Sequence, residues 1–343
     1  MQISSYDYHL PDELIAQQPL ADRTASRMLC IDRSTSSYAD HHFSDLSRFL
    51  RRGDVLVLND TKVFPARLVG KTETGANVEI FLVRETEGTF WETLARPARR
   101  LRAGKRIIFH DGLSAAVVEK TNTGRVLVRF DNIDDFDGVI DRIGKTPLPP
   151  YIKRDTGSLD NDRDRYQTVF AKNRGAIAAP TAGLHFTPDV LGTIRELGVG
   201  VTEVTLHVGY GTFEPVRVED LAEHKVAAEV CEVKTETADL LNNAKADGRR
   251  IIAVGTTTTR ALETSLSRYD RFTGGRFYAD LTITPGYKFR AIDALLTNFH
   301  LPKSSLLVLT STFGGHELIM SAYRHAVAGG YRFYSYGDCM FIY

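Results

Sequence analysis

The sequence predicts an α/β protein. The expected architecture is a larger mixed α/β, barrel-like domain built from both ends of the chain, with a small antiparallel β-barrel domain inserted near the N-terminus. Three observations carry this expectation. Nearly continuous apolar runs at 54–58 and 250–254 stand among stretches of helical spacing, as buried strands and their covering helices do. Residues 66–144 instead show short alternating runs (NVEIFLVRE, FWETLARP, RIIFHD, SAAVVEK, RVLVRF) punctuated by TETGA, HDG and TNTG, the texture of a small antiparallel barrel or sandwich. A length of 343 residues leaves room for about two domains. The boundaries expected are 1–62 with 148–343 for the discontinuous α/β domain, and 63–147 for the insertion.

Composition narrows the class. Lys plus Arg equals Asp plus Glu at 43 each, so no global field attracts nucleic acid and any RNA contact must come from a local basic patch. Cys30, Cys231 and Cys339 are odd in number and widely spaced, which argues for a reducing compartment and against a disulfide framework or structural zinc. Neither a signal-like start nor an apolar run of membrane-spanning length is present, so a soluble cytoplasmic protein is expected.

Taken in order, 12–15 reads as a helix start, 28–32 as a strand, 43–50 as a helix ending at Gly53, and 54–58 as a buried strand leaving through Asn59, Asp60, Thr61 and Lys62. Within the insertion, Arg96, Arg99, Arg100, Arg102, Lys105 and Arg106 crowd one connection; they suit either a solvated loop or a phosphate-binding surface. KTPLPPYIKR is a stiff exit, and the alternating charges around Asp160, Asp162 and Asp164 read as solvated surface. In RGAIAAPTAGLHFT, 177–179 read as the end of a strand that Pro180 stops, and Gly183 as a residue allowing a conformation closed to side chains with a Cβ. Thr187 and Pro188 then read as N-cap and first helical residue.

A strand over 199–208 places Thr202, Val204, Leu206 and Val208 on one face and Val201, Glu203, Thr205 and His207 on the other, before the close-approach loop Gly209, Tyr210, Gly211, Thr212, Phe213. Gly255 to Thr259 offers hydroxyls and free N–H groups at a helix start, suited to an anion or a ribose and equally to a plain N-cap. Residues 306–310 read as a further strand, and the tail YRFYSYGDCMFIY as a hairpin turning at Gly337 and Asp338. Polar groups thus recur at strand ends: Asp60 and Lys62, His207, Thr256 and Thr257, Asn298 and His300. With His185 they suggest one metal-free cleft at a sheet edge with acid/base capacity.

The segments NDTKVFPARL, APTAGLHFT, TLHVGYGTFEPV, AVGTTTTRALE, TNFHLPKSSLL and YRFYSYGDCMFI, spread over almost the whole chain, resemble the S-adenosylmethionine:tRNA ribosyltransferase-isomerase family of queuosine biosynthesis. The resemblance implies transfer of the ribosyl part of S-adenosylmethionine, a cosubstrate and not a prosthetic group, onto 7-aminomethyl-7-deazaguanine in tRNA, by a monomer. It puts His185 and His207 forward as the leading acid/base pair with His300 third, and Phe186, Tyr210 or Phe213 near the sulfonium. Asp60, Lys62, Arg67, Thr181, Gly183, Gly209, Gly211, Thr212, Thr256, Thr257, Arg260, Asn298 and Asp338 follow as substrate or site-shaping residues, and the arginine-rich loop as tRNA phosphate contacts. The chain departs from the family pattern HxMHSE, with Ala227 and Ala228 in place of a histidine and a serine. Those alanines are the sequence support for an alternative, a tRNA-binding paralogue with weak or lost catalysis.

Overall fold

A computed structural model describes all residues except 123, 133, 155–160, 214 and 215, and leaves the side chains of 212 and 213 undescribed. Its centre is a nine-stranded mixed sheet of linear order: Gly275–Ala279, Glu229–Val233, Gly200–Leu206, Val55–Asn59, Ile251–Val254, Ala294–Asn298, Cys339–Ile342, Arg27–Asp32 and Ser37–His42. The middle four, from Gly200–Leu206 to Ala294–Asn298, run parallel, so their carboxyl ends emerge at one edge. Both faces are covered. Leu56, Leu58, Ile252 and Val254 face Phe43, Phe186, Leu191 and Ile194, whereas Val55, Val57, Ile251 and Ala253 face the layer holding Leu241, Leu262, Val308 and Ile319. This two-sided burial is why those runs read as continuously apolar.

The second body is a closed six-stranded antiparallel barrel running from Arg67–Thr72 to Val126–Phe130. Its interior alternates with the strands, Leu68, Val78, Ile80, Leu82, Val117, Val126 and Val128 pointing inward, and Phe136–Ile143 seals it with Val139 and Ile140. The barrel core also takes up Ile177, so it leans on the segment that leads to the sheet-edge cleft.

Several local expectations are corrected. Residues 306–310 belong to the helix Ser305–Gly314, capped by the Ser304 hydroxyl, and not to a strand. A short buried apolar run has no periodicity that separates the two. The tail makes a turn, Gly337 N donating to Tyr334 O at 2.9 Å, but no hairpin. Cys339–Ile342 instead slots between Arg27–Asp32 and Ala294–Asn298, because a strand buried on both faces gains more from two partners than from its own neighbour. Residues 177–179 lie beyond the strand Asn173–Ala176. Asp162 is fully buried and bonded to Arg154 (2.9 and 3.0 Å), not solvated; Asp160 lies outside the described residues. Thr187 caps Pro188–Glu196 by accepting from Val190 N, as its sequence position dictates. All three cysteines are buried and free. Among the described residues no helix is long and apolar enough to cross a membrane.

Candidate active site

Where the four parallel strands end, the chain opens a cleft of about 540 Å³. Strand carboxyl ends are where open α/β sheets place ligand pockets. Val208, Gly255, Thr256, Thr257, Thr297, Asn298 and His300 line it from the strand ends. Thr181 and Ala182 line it from the APTAGLHF turn, and Tyr151, Tyr166, Tyr334 and Ser335 from the facing segments. Among the described residues none that lines it is Lys, Arg, Asp or Glu.

Asn298 is the hub. Its Nδ2 donates to Tyr334 O at 3.0 Å and faces His185 Nε2 at 3.3 Å. Both partners are acceptors, so the nitrogen is correctly placed and His185 carries its proton on Nδ1, 3.0 Å from Ser26 Oγ. The amide's other end, Oδ1, is buried and has no donor. An unsatisfied buried carbonyl costs about 1–3 kcal/mol, a penalty that a bound donor removes. His185 therefore stands behind the cleft, holding Asn298, with burial pulling its pKa down to about 4. His300 does line the cleft. Its Nε2 lies 3.0 Å from Thr297 Oγ1 and burial lowers its pKa to about 3, so its ring is neutral at physiological pH. Tyr323 and Tyr8 clamp its backbone N–H and C=O at 3.0 and 2.5 Å.

The aromatic wall is made of residues that the sequence did not single out. Tyr151 and Tyr334 meet edge-to-face at 3.8 Å between centroids. Tyr334 takes φ 72°, a conformation rare for a bulky residue and typical of sites where surrounding structure forces it. Burial raises the Tyr151, Tyr166 and Tyr334 phenols well above their ordinary range, which keeps them neutral. A run of three tyrosines in YRFYSYGD just before a buried strand is the signal that could have found Tyr334. Opposite, the helix Thr256–Tyr269 starts at Gly255, whose φ of 92° requires glycine, with no side-chain cap on its first N–H groups. Thr258 and Thr259 hydroxyls bond back to Val254 O and Gly255 O, and Thr257 Oγ1 receives Asn59 Nδ2 at 3.3 Å.

Other expected site residues lie elsewhere. His207 points away from the cleft, Val208 facing it instead; its Nδ1 meets Thr61 Oγ1 at 2.8 Å and its ring packs on Gly175, where a Cβ would come within 2.7 Å. Burial lowers the His207 pKa, helped by Arg276 and opposed by Asp60 and Glu232. Asp60 is buried and accepts from Thr205 Oγ1 (2.6 Å) and Asn173 Nδ2 (2.9 Å). Asp338 accepts from the backbone N–H groups of Arg27 and Arg332. Arg67 pairs with Glu79 within the barrel.

Arg260 is buried against Glu229 at 2.5 Å and donates to Ala227 O and Ala279 O, so it ties two loops to its helix. Glu229 also receives Gly209 N at 2.7 Å, and a Cβ on Gly211 would sit 3.2 Å from Ala227. Phe186 is fully buried between Phe43 and Phe170, and Tyr210 packs on Phe81 of the barrel. The Thr212 and Phe213 side chains lie outside the described residues. Gly183 has no positive φ; its role is space, since a Cβ there would lie 2.7 Å from Phe170 and 2.8 Å from Thr168.

On the barrel, Arg96, Arg99, Arg100 and Arg102 are exposed. Arg106 is held by Asp131, and Arg100 reaches Asn77 O. Lys62 is exposed on the short strand Thr61–Val63.

Residues 3–342 match the family described as queuosine biosynthesis protein. The chain belongs to this queuosine biosynthesis family. A member from Syntrophotalea carbinolica, named S-adenosylmethionine:tRNA ribosyltransferase-isomerase, is 48% identical over 344 residues, covering all of both chains. The crystal structure of an S-adenosylmethionine tRNA ribosyltransferase from Thermotoga maritima is similar at a TM-score of 0.57 and 35% identity, over 99% of this chain and all of that one. Family membership thus covers both the barrel and the sheet.

Proposed function

We propose that this chain transfers and isomerises the ribosyl part of S-adenosylmethionine onto the aminomethyl group of 7-aminomethyl-7-deazaguanine at the wobble position of tRNA, giving epoxyqueuosine-tRNA, adenine and methionine. The full-length likeness to a relative named for that activity supports the reaction. One observation supports the cleft as its site: among the described residues the buried Asn298 Oδ1 has no donor and the lining carries no charged side chain, beside an uncapped helix start and neutral phenols.

The positive sulfur acidifies the C5′ hydrogens, so a neutral base can begin an elimination that opens the ribose and releases adenine. The amine then adds, and epoxide closure expels methionine. His300 is the base we favour, since among the described residues it is the histidine that lines the cleft. His185 acts as a positioning residue through Asn298. The Tyr151 and Tyr334 rings supply a π surface for the sulfonium, an attraction of about 0.5–2 kcal/mol. The Thr256 helix start suits the methionine carboxylate. The cleft is completed by this chain's own residues, which supports a monomer, and three buried free thiols support a cytoplasmic setting. The barrel over 63–147 and the exposed arginines on it would serve the tRNA.

Incubation with S-adenosylmethionine and tRNA carrying the 7-deazaguanine base should release adenine and methionine in equal amounts, only when the RNA is present. S-adenosylhomocysteine as product would overturn the reading in favour of methyl transfer, and RNA binding without adenine release would favour a non-catalytic paralogue.

A further inference from the structure

Next to the cleft lies a second, smaller cavity of about 280 Å³ that shares Ser335 with it. Two guanidinium groups, Arg23 and Arg165, line this cavity together with His185 and Ser26. Neither has a carboxylate partner among the described residues. Arg23 donates to the carbonyls of Leu184 (2.9 Å), Gln167 (3.0 Å) and Asp164 (3.2 Å), and Arg165 to those of Ala21 (3.0 Å) and Leu20. Arg165 Nε is buried with no acceptor at all. Burial depresses the Arg23 pKa and the Arg165 charge depresses it further, the mark of two cations crowded without compensation.

Arg23 also lines an open groove of about 1000 Å³ between the barrel and the sheet domain. There Lys62 stands exposed with no ion-pair partner among the described residues, on a strand whose Val63 backbone N–H and C=O are both bonded by the Gln167 side chain at 3.0 and 3.1 Å. Arg163 and Arg174 share the single carboxylate of Asp141 (4.0 and 2.5 Å), Asp137 touches Arg174 at 3.5 Å, and Asp164 is the other acid on the groove wall. Prolines 65 and 147 and the exposed Val169 give the groove apolar ground between its charges. The Thr168 hydroxyl at its base is buried without a partner.

Resting on the ribosyl-transfer reading, we propose that Arg23 and Arg165 form a phosphodiester-binding site beside the cleft, and that the Lys62 groove continues it as the track for the RNA strand that carries the target base. S-adenosylmethionine carries no phosphate, so an uncompensated cation pair next to its cleft serves the polynucleotide. The three spaces adjoin through shared wall residues, Arg23 between the groove and the small cavity and the buried Ser335 between that cavity and the cleft. Phosphate contacts of this kind position the strand without reading its sequence.

The test uses the full chain, an anticodon stem-loop RNA with the 7-deazaguanine base, and S-adenosylmethionine alone. Lys62→Ala removes no side-chain hydrogen bond or ion pair among the described residues, and Arg165→Gln and Arg23→Gln keep part of the carbonyl bonding, with thermal melting as the check on folding. Each should weaken RNA binding about tenfold at low salt and reduce the slope of log affinity against log salt by about 0.7, the value for one single-strand phosphate contact. The KM for RNA should rise, and S-adenosylmethionine affinity should stay within about twofold. Arg23→Lys should restore most of the salt slope.

Unchanged RNA affinity and slope in folded variants, with a wild-type protein that modifies the RNA, would overturn the phosphate site and leave the reaction standing. A loss confined to S-adenosylmethionine affinity would also overturn it, assigning the cations to the methionine carboxylate. Wild-type protein that binds RNA with these sensitivities but releases no adenine would sink the reaction and keep the site. Wild-type protein that binds no RNA would overturn both.

Discussion

The sheet-edge cleft and the arginine-rich loop of the barrel are built on opposite principles. In the cleft polar groups are dry and mostly bonded to one another, as Asn298 is to Tyr334 and His185, and no side chain among the described residues that line it is charged. On the loop Arg96, Arg99 and Arg102 are wet and unpaired, with only Leu101 buried to hold the turn. A dry site makes each dipole count and penalises each unmet one; a wet cation contributes a screened attraction that depends on salt. Chemistry is therefore expected in the first region and non-specific RNA affinity in the second.

The largest expected effect bears on the buried frame beside the cleft. Arg260→Ala leaves Glu229 buried with one partner fewer, and should lower stability by about 3–5 kcal/mol in urea titration. A loss under 1 kcal/mol would mean that this region is wetter than the structure says. Next, Asn298→Ala should cut kcat/KM for adenine release about 100-fold, or about 3 kcal/mol, with RNA affinity unchanged. Equal losses in both would erase the contrast between the regions.

The third effect is pH dependence. His185 and His300 have folded pKa values near 4 and 3, below the ordinary 6.5, so the unfolded chain takes up protons first. Their contribution to stability is complete above pH 6.5 and is lost as pH falls to about 4 for His185 and about 3 for His300. At about 1.4 kcal/mol per pKa unit the full loss is on the order of 3 kcal/mol for His185 and 5 kcal/mol for His300. His185→Gln should flatten the upper part of that fall in a series of melts. Smallest, Arg99→Ala with Arg102→Ala should weaken RNA binding by about 1 kcal/mol and lower its salt slope, and leave S-adenosylmethionine affinity alone. A drop in S-adenosylmethionine affinity would show that the loop reaches the cleft.

Much of the cleft was legible because strand ends announce themselves. Apolar runs closed by Gly255–Thr256–Thr257 and by Asn298–Phe299–His300 mark where buried strands release polar groups, and all six residues line the cleft. The tyrosines were not legible. Tyr151 reads as part of a proline-rich connection and Tyr334 as part of a tail, and nothing local foretells a positive φ at a tyrosine. The 306–310 run misled for another reason, since a wholly buried helix has no polar face to reveal its period.

By itself the sequence determined the fold class, the family resemblance and the strand ends at which polar groups collect, because these depend on local periodicity and punctuation. Alternation also separated His207 from Val208. Only the tertiary structure decided which of those two faces the cleft opens on, that His300 lines it while His185 stands behind Asn298, and that Arg23 meets Arg165 with no carboxylate partner among the described residues. Each of these depends on segments far apart in the chain packing against a common sheet edge. The period of a single strand names two sides; the neighbours packed on them decide which one is a site.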